Sequence, residues 1–130
     1  MIEEYLREID ELLIASPAVR SVEVVRRALR NTEWERVLHY RYRVFLADGG
    51  LVEMSERLVE MRGVMTTTTY RYHWQDAQGH LRKRWDNAPH HPNVATFPNH
   101  LHDGAEEHVV SHVAITGAQV LRQILAAMER

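Results

Sequence analysis

Four of the nine histidines, His90, His91, His100 and His102, fall within thirteen residues and follow closely on the pair Asp86-Asn87. Imidazole is the side chain whose unperturbed pKa lies nearest neutrality, so such a cluster suits proton transfer or metal ligation. Pro89, Pro92 and Pro98 interrupt the same stretch and forbid a regular helix or a central strand there. The expectation is a proline-stiffened loop from which the imidazoles project. In an acid–base scheme, one His would remove the 2′-hydroxyl proton of RNA and another would protonate the leaving 5′-oxygen. Asp86 would orient a ring, Asn87 would fix the loop, and a nearby cation would meet the phosphorane-like charge. In a metal scheme, His90 or His91 would join His100, His102 and Asp86 around one ion, since imidazoles at i and i+2 of an extended segment reach the same point. The spacing matches no strict zinc signature. The acid–base scheme requires no cofactor, and a divalent metal is compatible with the residues. The plainest alternative is a polar loop whose rings are solvated or bonded to backbone.

The cations that would hold a phosphate lie just upstream. If the turn Asp76-Ala77-Gln78-Gly79 is centred on Ala77 and Gln78, Gln75 pairs with His80 and Arg71 with Arg84. One face of that hairpin then carries Tyr70, Tyr72, Trp74, Leu81 and Trp85, and the other carries Arg71, His73, His80, Arg82 and Arg84, continued by Asp86. Arg71 opposite Arg84 is repulsive unless something negative lies over the pair, and the candidates are Glu56 or Glu60 from the preceding strand or a phosphate backbone. The expected RNA-binding set is Arg71, His73, Arg82, Arg84 and Asn87. His39, His108 and His112 lie outside the cluster and read as structural or surface residues.

The elements that must position these residues follow from periodicity. Ile2, Tyr5, Leu6, Ile9, Leu12 and Leu13 recur at helical spacing until Ser16-Pro17 stops the pattern. From about Val19 the period falls to two, and Trp34 to Leu46 alternates apolar with mostly polar residues. Asp48-Gly49-Gly50 turns into a strand over Leu51 to Met61, Gly63 reverses it into Met65 to Gln75, and His80 to Asp86 returns as a fifth strand. Thr116-Gly117-Ala118-Gln119 reads as a capping box before a helix with Val120, Leu121, Ile124, Leu125 and Met128 on its apolar side. The expected class is α+β: a five-stranded antiparallel sheet with N- and C-terminal helices packed on one face. At 130 residues with 45% apolar content, the chain suffices for one core, hence a single domain over 1–130. The absence of cysteine excludes disulfides and thiolate metal sites. With no signal-like N-terminus and no long apolar run the chain reads as soluble and cytoplasmic, with no membrane partner. A formal charge of −2 excludes a globally basic nucleic-acid binder, so any anion site is local, in the stretch that holds Arg71, Arg82, Lys83 and Arg84.

Three blocks of residues together resemble a known family. Tyr70-Arg71-Tyr72-His73-Trp74-Gln75-Asp76, Arg84-Trp85-Asp86-Asn87-Ala88-Pro89-His90-His91-Pro92 and Thr96-Phe97-Pro98-Asn99-His100-Leu101-His102 are similar to the TumE family of small bacterial toxin–antitoxin proteins. The resemblance is specific over roughly residues 66 to 104 and looser over the first sixty, where the helix-then-strands layout agrees. It implies the toxin of a two-component system, neutralised by a small cognate antitoxin. It does not settle the reaction.

Two readings follow. In the first the chain is an RNA-directed toxin, an endoribonuclease with His90, His91, His100, His102 and Asp86 as catalytic groups. In the second it is a non-catalytic module that binds RNA or a protein through its basic sheet face, with the histidine loop as a structural or metal-stabilised clasp. Either is compatible with a monomer or a homodimer.

Overall fold

A computed structural model describes residues 1–130. Helix α1 runs over Ile2–Ala15 and buries Ile2, Tyr5, Leu6, Ile9 and Leu13, the i, i+3, i+4 stripe of its sequence. Ser16 ends it in an extended conformation because Pro17 disfavours helical geometry in the residue before it. The strands β1 (Val19–Asn31), β2 (Arg36–Leu46), β3 (Leu51–Met61), β4 (Val64–Gln75), β5 (Leu81–Asp86), β6 (His100–Asp103) and β7 (Val109–Ser111) then form one antiparallel meander in sequential order. Helix α2 closes the chain over Gly117–Met128, started by the capping box of Thr116 and Gln119.

Register explains the core. One row crosses all seven strands, Val24–Tyr42–Met54–Tyr72–Trp85–Leu101–Val110, with each residue opposite the next. Its central members are buried with the apolar sides of α1 and α2 in a single cluster. Both helices therefore cover one face, and Tyr72 and Trp74 are buried while Arg71 is exposed on the other.

The sheet has seven strands rather than five. The two added strands lie inside the segment expected to be only a proline loop, and at four and three residues they are too short to show a period of their own. They form because β5 offers a free edge, to which His100–Asp103 pairs. The β4–β5 register also differs from expectation by two residues. The hairpin loop is Ala77-Gln78-Gly79 rather than two residues, with Asp76 and His80 bonded across it and Gly79 at φ +83°, a conformation glycine adopts without a Cβ penalty. A bulge then makes Arg82 an extra residue between the pairs Gln75↔Leu81 and Trp74↔Lys83. Two single-residue offsets restore the side-chain phase, so the faces survive while the partners change. Arg71 lies opposite Asp86, and the repulsive Arg71–Arg84 pair does not form.

Glu56 does not neutralise the basic face either, because it points into the core. Its Oε1 accepts hydrogen bonds from Tyr5 Oη at 2.5 Å, from Tyr40 Oη and from the Gly117 amide at 3.2 Å, and Oε2 accepts from Thr67 at 3.3 Å. The carboxylate thus ties β2 and β3 to both helices. A Cβ at Gly117 would come within 2.5 Å of Glu56 Oε1 and 2.6 Å of Tyr40 Oη, so only glycine lets α2 start this close to the sheet. Glu60 is engaged elsewhere, by Arg36 and the N-terminal amine.

Burial raises the Glu56 pKa above its ordinary 4.5, and the hydrogen bonds only partly oppose this. A carboxyl raised on folding favours the native state below its unfolded pKa and loses that contribution as pH rises through the folded value. Glu56→Gln keeps the acceptor and lets Thr67 accept in turn, but it does not titrate. Urea midpoints measured from pH 4 to 8 should show wild type losing stability relative to this variant as pH rises. A constant difference would mean that the carboxyl is not held as described. Glu56→Leu, which strands the tyrosine and amide donors, should cost about 3 kcal/mol or more at neutral pH.

Candidate functional site

Two adjacent rows of the sheet, on the face away from the helices, carry almost every polar residue of interest. The first is Ser55–Arg71–Asp86–His100–Ser111 and the second is Glu53–His73–Arg84–His102–Val109. Their alternation with the Tyr72–Trp85–Leu101 row is the ordinary period of two, which sends Asp86, His100 and His102 outward while Trp85 and Leu101 go into the core. The chain between β5 and β6 then folds back over this face and lays His91 against His100 and His102.

Local bonds hold that return. Asp86 Oδ1 accepts from the Ala88 amide at 3.0 Å, and the Asn87 side chain bonds both the Tyr70 amide at 3.1 Å and the Thr68 carbonyl at 3.0 Å. Asn87 therefore continues the β4 ladder where β5 has already left it. Further on, Tyr70 Oη donates to Asn99 at 2.8 Å, and Thr96 Oγ1 bonds both the Asn99 carbonyl and the His112 amide.

The result is a cleft of about 700 Å³ with a histidine–carboxylate floor. The ring centroids of His91, His100 and His102 lie 4.7 to 5.3 Å apart, all edge to face. His100 Nε2 is 3.0 Å from Asp86 Oδ1, and His102 Nε2 is 3.7 Å from Oδ2. The far nitrogens are committed: His100 Nδ1 lies 2.8 Å from the Pro98 carbonyl and His102 Nδ1 lies 2.8 Å from the Glu106 carbonyl. A carbonyl can only accept, so each Nδ1 carries its proton and each Nε2 faces the carboxylate. Burial is the main influence on His102 and holds its pKa below the ordinary 6.5.

Two guanidiniums border this floor. Arg84 makes two contacts of 2.5 Å to Glu106, and this partner raises the Arg84 pKa while holding the Glu106 carboxyl down at about 2. Arg84 Nε is also 3.5 Å from Asp86 Oδ2, close enough to attract but not aligned as a hydrogen bond. Arg71 is exposed at the cleft, and desolvation of its head together with repulsion from Arg84 lowers its pKa. Of the two, Arg71 is the cation free to meet an anion.

Of the residues singled out by sequence, the structure brings Asp86, His91, His100, His102, Arg71 and Arg84 together and leaves His90 exposed at the rim. His100 and His102 are strand residues, 2% and 5% exposed, rather than rings projecting from a loop. His73 lies on the same face, separated from His102 by Arg84 on β5, and bonds Gln75 at 2.9 Å. Arg82 leaves the site altogether: the bulge swings it to the helix side, 5.0 Å over the Trp74 ring. His80 is in the turn beside Asp76. Asn87 spends its polar atoms on β4 rather than on the cleft. Sequence reasoning missed Glu106 and Ser55. Glu106 stands four residues after His102, but only the unseen β6–β7 turn brings it back over Arg84.

Fold and site together define a small α+β protein with one histidine–carboxylate centre on the open face of a sheet. The chain belongs to the TumE toxin family: the family model described as Toxin TumE matches residues 9–130, which span the sheet and the whole site. No curated protein and no solved structure matches it. Membership of a toxin family implies an antitoxin partner. No helix of the chain is long and apolar enough to cross a membrane.

Asn87→Ala removes two bonds to the backbone of β4, one to the part-buried Tyr70 amide and one to the exposed Thr68 carbonyl. It should lower stability by roughly 1–3 kcal/mol in urea unfolding and speed amide exchange at Tyr70. Unchanged exchange there would show that Asn87 does not clamp the strand.

Proposed function

We propose that this toxin acts on RNA and cleaves its phosphodiester backbone in the histidine-lined cleft. The observation that carries the reading is the meeting of three imidazoles and Asp86 at the foot of a cleft bordered by Arg71 and Arg84. Cleavage by an internal nucleophile needs a group to take the 2′-hydroxyl proton, a group to protonate the 5′-oxygen and cations for the charge on the non-bridging oxygens. In our reading the His91–His100–His102–Asp86 centre serves as the base, and His90 at the rim is the acid. Arg71 grips a phosphate, and Arg84, fixed by Glu106, stiffens the wall. The other face is committed to the core, so the open one is where a strand of RNA would lie.

The direct test is incubation of the purified toxin with end-labelled RNA, which should yield 2′,3′-cyclic phosphate and 5′-hydroxyl ends. RNA left uncleaved by the pure toxin would sink the proposal. His91→Ala should abolish cleavage and toxicity in a host lacking the antitoxin, yet shift the melting temperature measured in chelator by no more than a few degrees, since the ring is on the loop and only half-buried. His102→Ala should lose activity and also stability, because it empties a buried position and frees the Glu106 carbonyl. Arg71→Ala should weaken RNA binding and reduce the salt dependence by about one phosphate contact. Full toxicity of His91→Ala would remove the cluster from the reaction.

A further inference from the structure

The centre turns several acceptor atoms toward one point. Both His100 and His102 spend their Nδ1 protons on backbone carbonyls, so in the neutral rings Nε2 presents a lone pair. At His100 that lone pair faces Asp86 Oδ1, also an acceptor, at 3.0 Å. Two acceptors this close need a positive centre between them. The same carboxylate also faces His102 Nε2, 3.7 Å from Oδ2, and His91 closes the third side. One ion at the shared focus satisfies all of them together.

We infer that His91, His100, His102 and Asp86 are the ligands of a single divalent transition-metal ion, best matched by zinc. The inference rests on the reading of this cleft as the reactive site and names its cofactor. One ligand atom from each of the three histidines falls within 4.8 Å of the others. Ligands of a tetrahedral zinc ion at 2.0–2.1 Å stand about 3.3 Å apart, so closing the set needs movements of about 1.5 Å or less. The 3.0 Å between His100 Nε2 and Asp86 Oδ1 is already near that spacing. His91, the one ligand on the loop, has the most freedom to move, while the other three stand on paired strands. Backbone carbonyls that fix Nδ1–H are the supporting contacts metal-bound imidazoles ordinarily have. Glu106 takes up the Arg84 charge and so leaves Asp86 free to serve a cation. Three nitrogens and one carboxylate favour zinc or cobalt over magnesium, which prefers oxygen in octahedral array. Four protein ligands fill the tetrahedral shell, and the cleft side leaves room for a water to add as a fifth ligand during the reaction. That water, made more acidic by the ion, would be the group that takes the 2′-hydroxyl proton.

The test is titration of chelator-treated, full-length protein with zinc chloride by calorimetry, with cobalt(II) as a spectroscopic probe. The expected result is one zinc per chain, a raised melting temperature, a tetrahedral cobalt spectrum and no comparable response to magnesium. His91→Ala and Asp86→Asn should weaken zinc binding by roughly 100-fold or more, and His108→Ala should leave it unchanged. His91→Ala alters only the loop, so it reports even where a strand variant fails to fold. No saturable binding, or binding indifferent to His91 and Asp86, overturns the inference. Undiminished RNA cleavage by zinc-free protein in chelator overturns it as the cofactor while the RNA reading stands. Tight, ligand-dependent zinc binding without any RNA cleavage supports the ion and defeats the RNA reading.

Discussion

The site depends on where one carboxylate sits in the sheet. Asp86 is the last residue of β5, paired through the backbone with Arg71 on one side and His100 on the other. It is 6% exposed, and a buried carboxylate is costly unless cations and donors surround it. Here Arg84, His100, His102 and the Ala88 amide all converge on it. The same residue keeps Arg71 and Arg84 from facing each other unscreened. Remove its charge and the imidazoles and guanidiniums of the centre lose the anion they share.

The sheet carries a second buried carboxylate on its other face, and the two are stabilised differently. Glu56 is surrounded by hydroxyls and an amide, with no cation bonded to it, and burial raises its pKa. Its bonds tie the first helix, the second helix and strands β2, β3 and β4 into one body. Asp86 is surrounded by nitrogen bases and guanidiniums, the company that suits a charge in a reactive site. Glu56 thus anchors the scaffold, while Asp86 organises a cleft that stays open to solvent.

Rigidity is distributed to match. His100 and His102 are fixed by strand pairing and by a carbonyl bond to each ring, and Asp86 by pairing on both sides. His91 arrives on a loop bracketed by Pro89 and Pro92, stiff in backbone yet outside the ladder. A centre built from three fixed groups and one adjustable one can accept an ion or a phosphate without strain in the sheet. The exposed Arg71 at its edge supplies attraction for an anion over the short range that physiological salt permits.

Much of this could be read from the residues themselves. The alternation in β2 to β5 assigns Tyr72, Trp74 and Trp85 to the core and Arg71 and Asp86 to the opposite face, because a period of two depends only on neighbours along the chain. The capping box of Thr116 and Gln119 and the helical stripe of α1 are local in the same sense. The histidine cluster showed itself by composition, and the kinship with TumE toxins by the resemblance of three ordered blocks of residues. Pairing was not legible. Whether Arg71 meets Arg84 or Asp86 turns on one extra residue in a loop and one bulge, and both leave the pattern of faces untouched. Strands β6 and β7 are too short to carry a signal and exist only because β5 offers an edge. Arg82 was lost to the site by that bulge, and Glu106 was gained by a turn between strands that sequence did not reveal. Composition could nominate the chemistry, but its geometry was decided by hydrogen bonds between segments far apart in the chain.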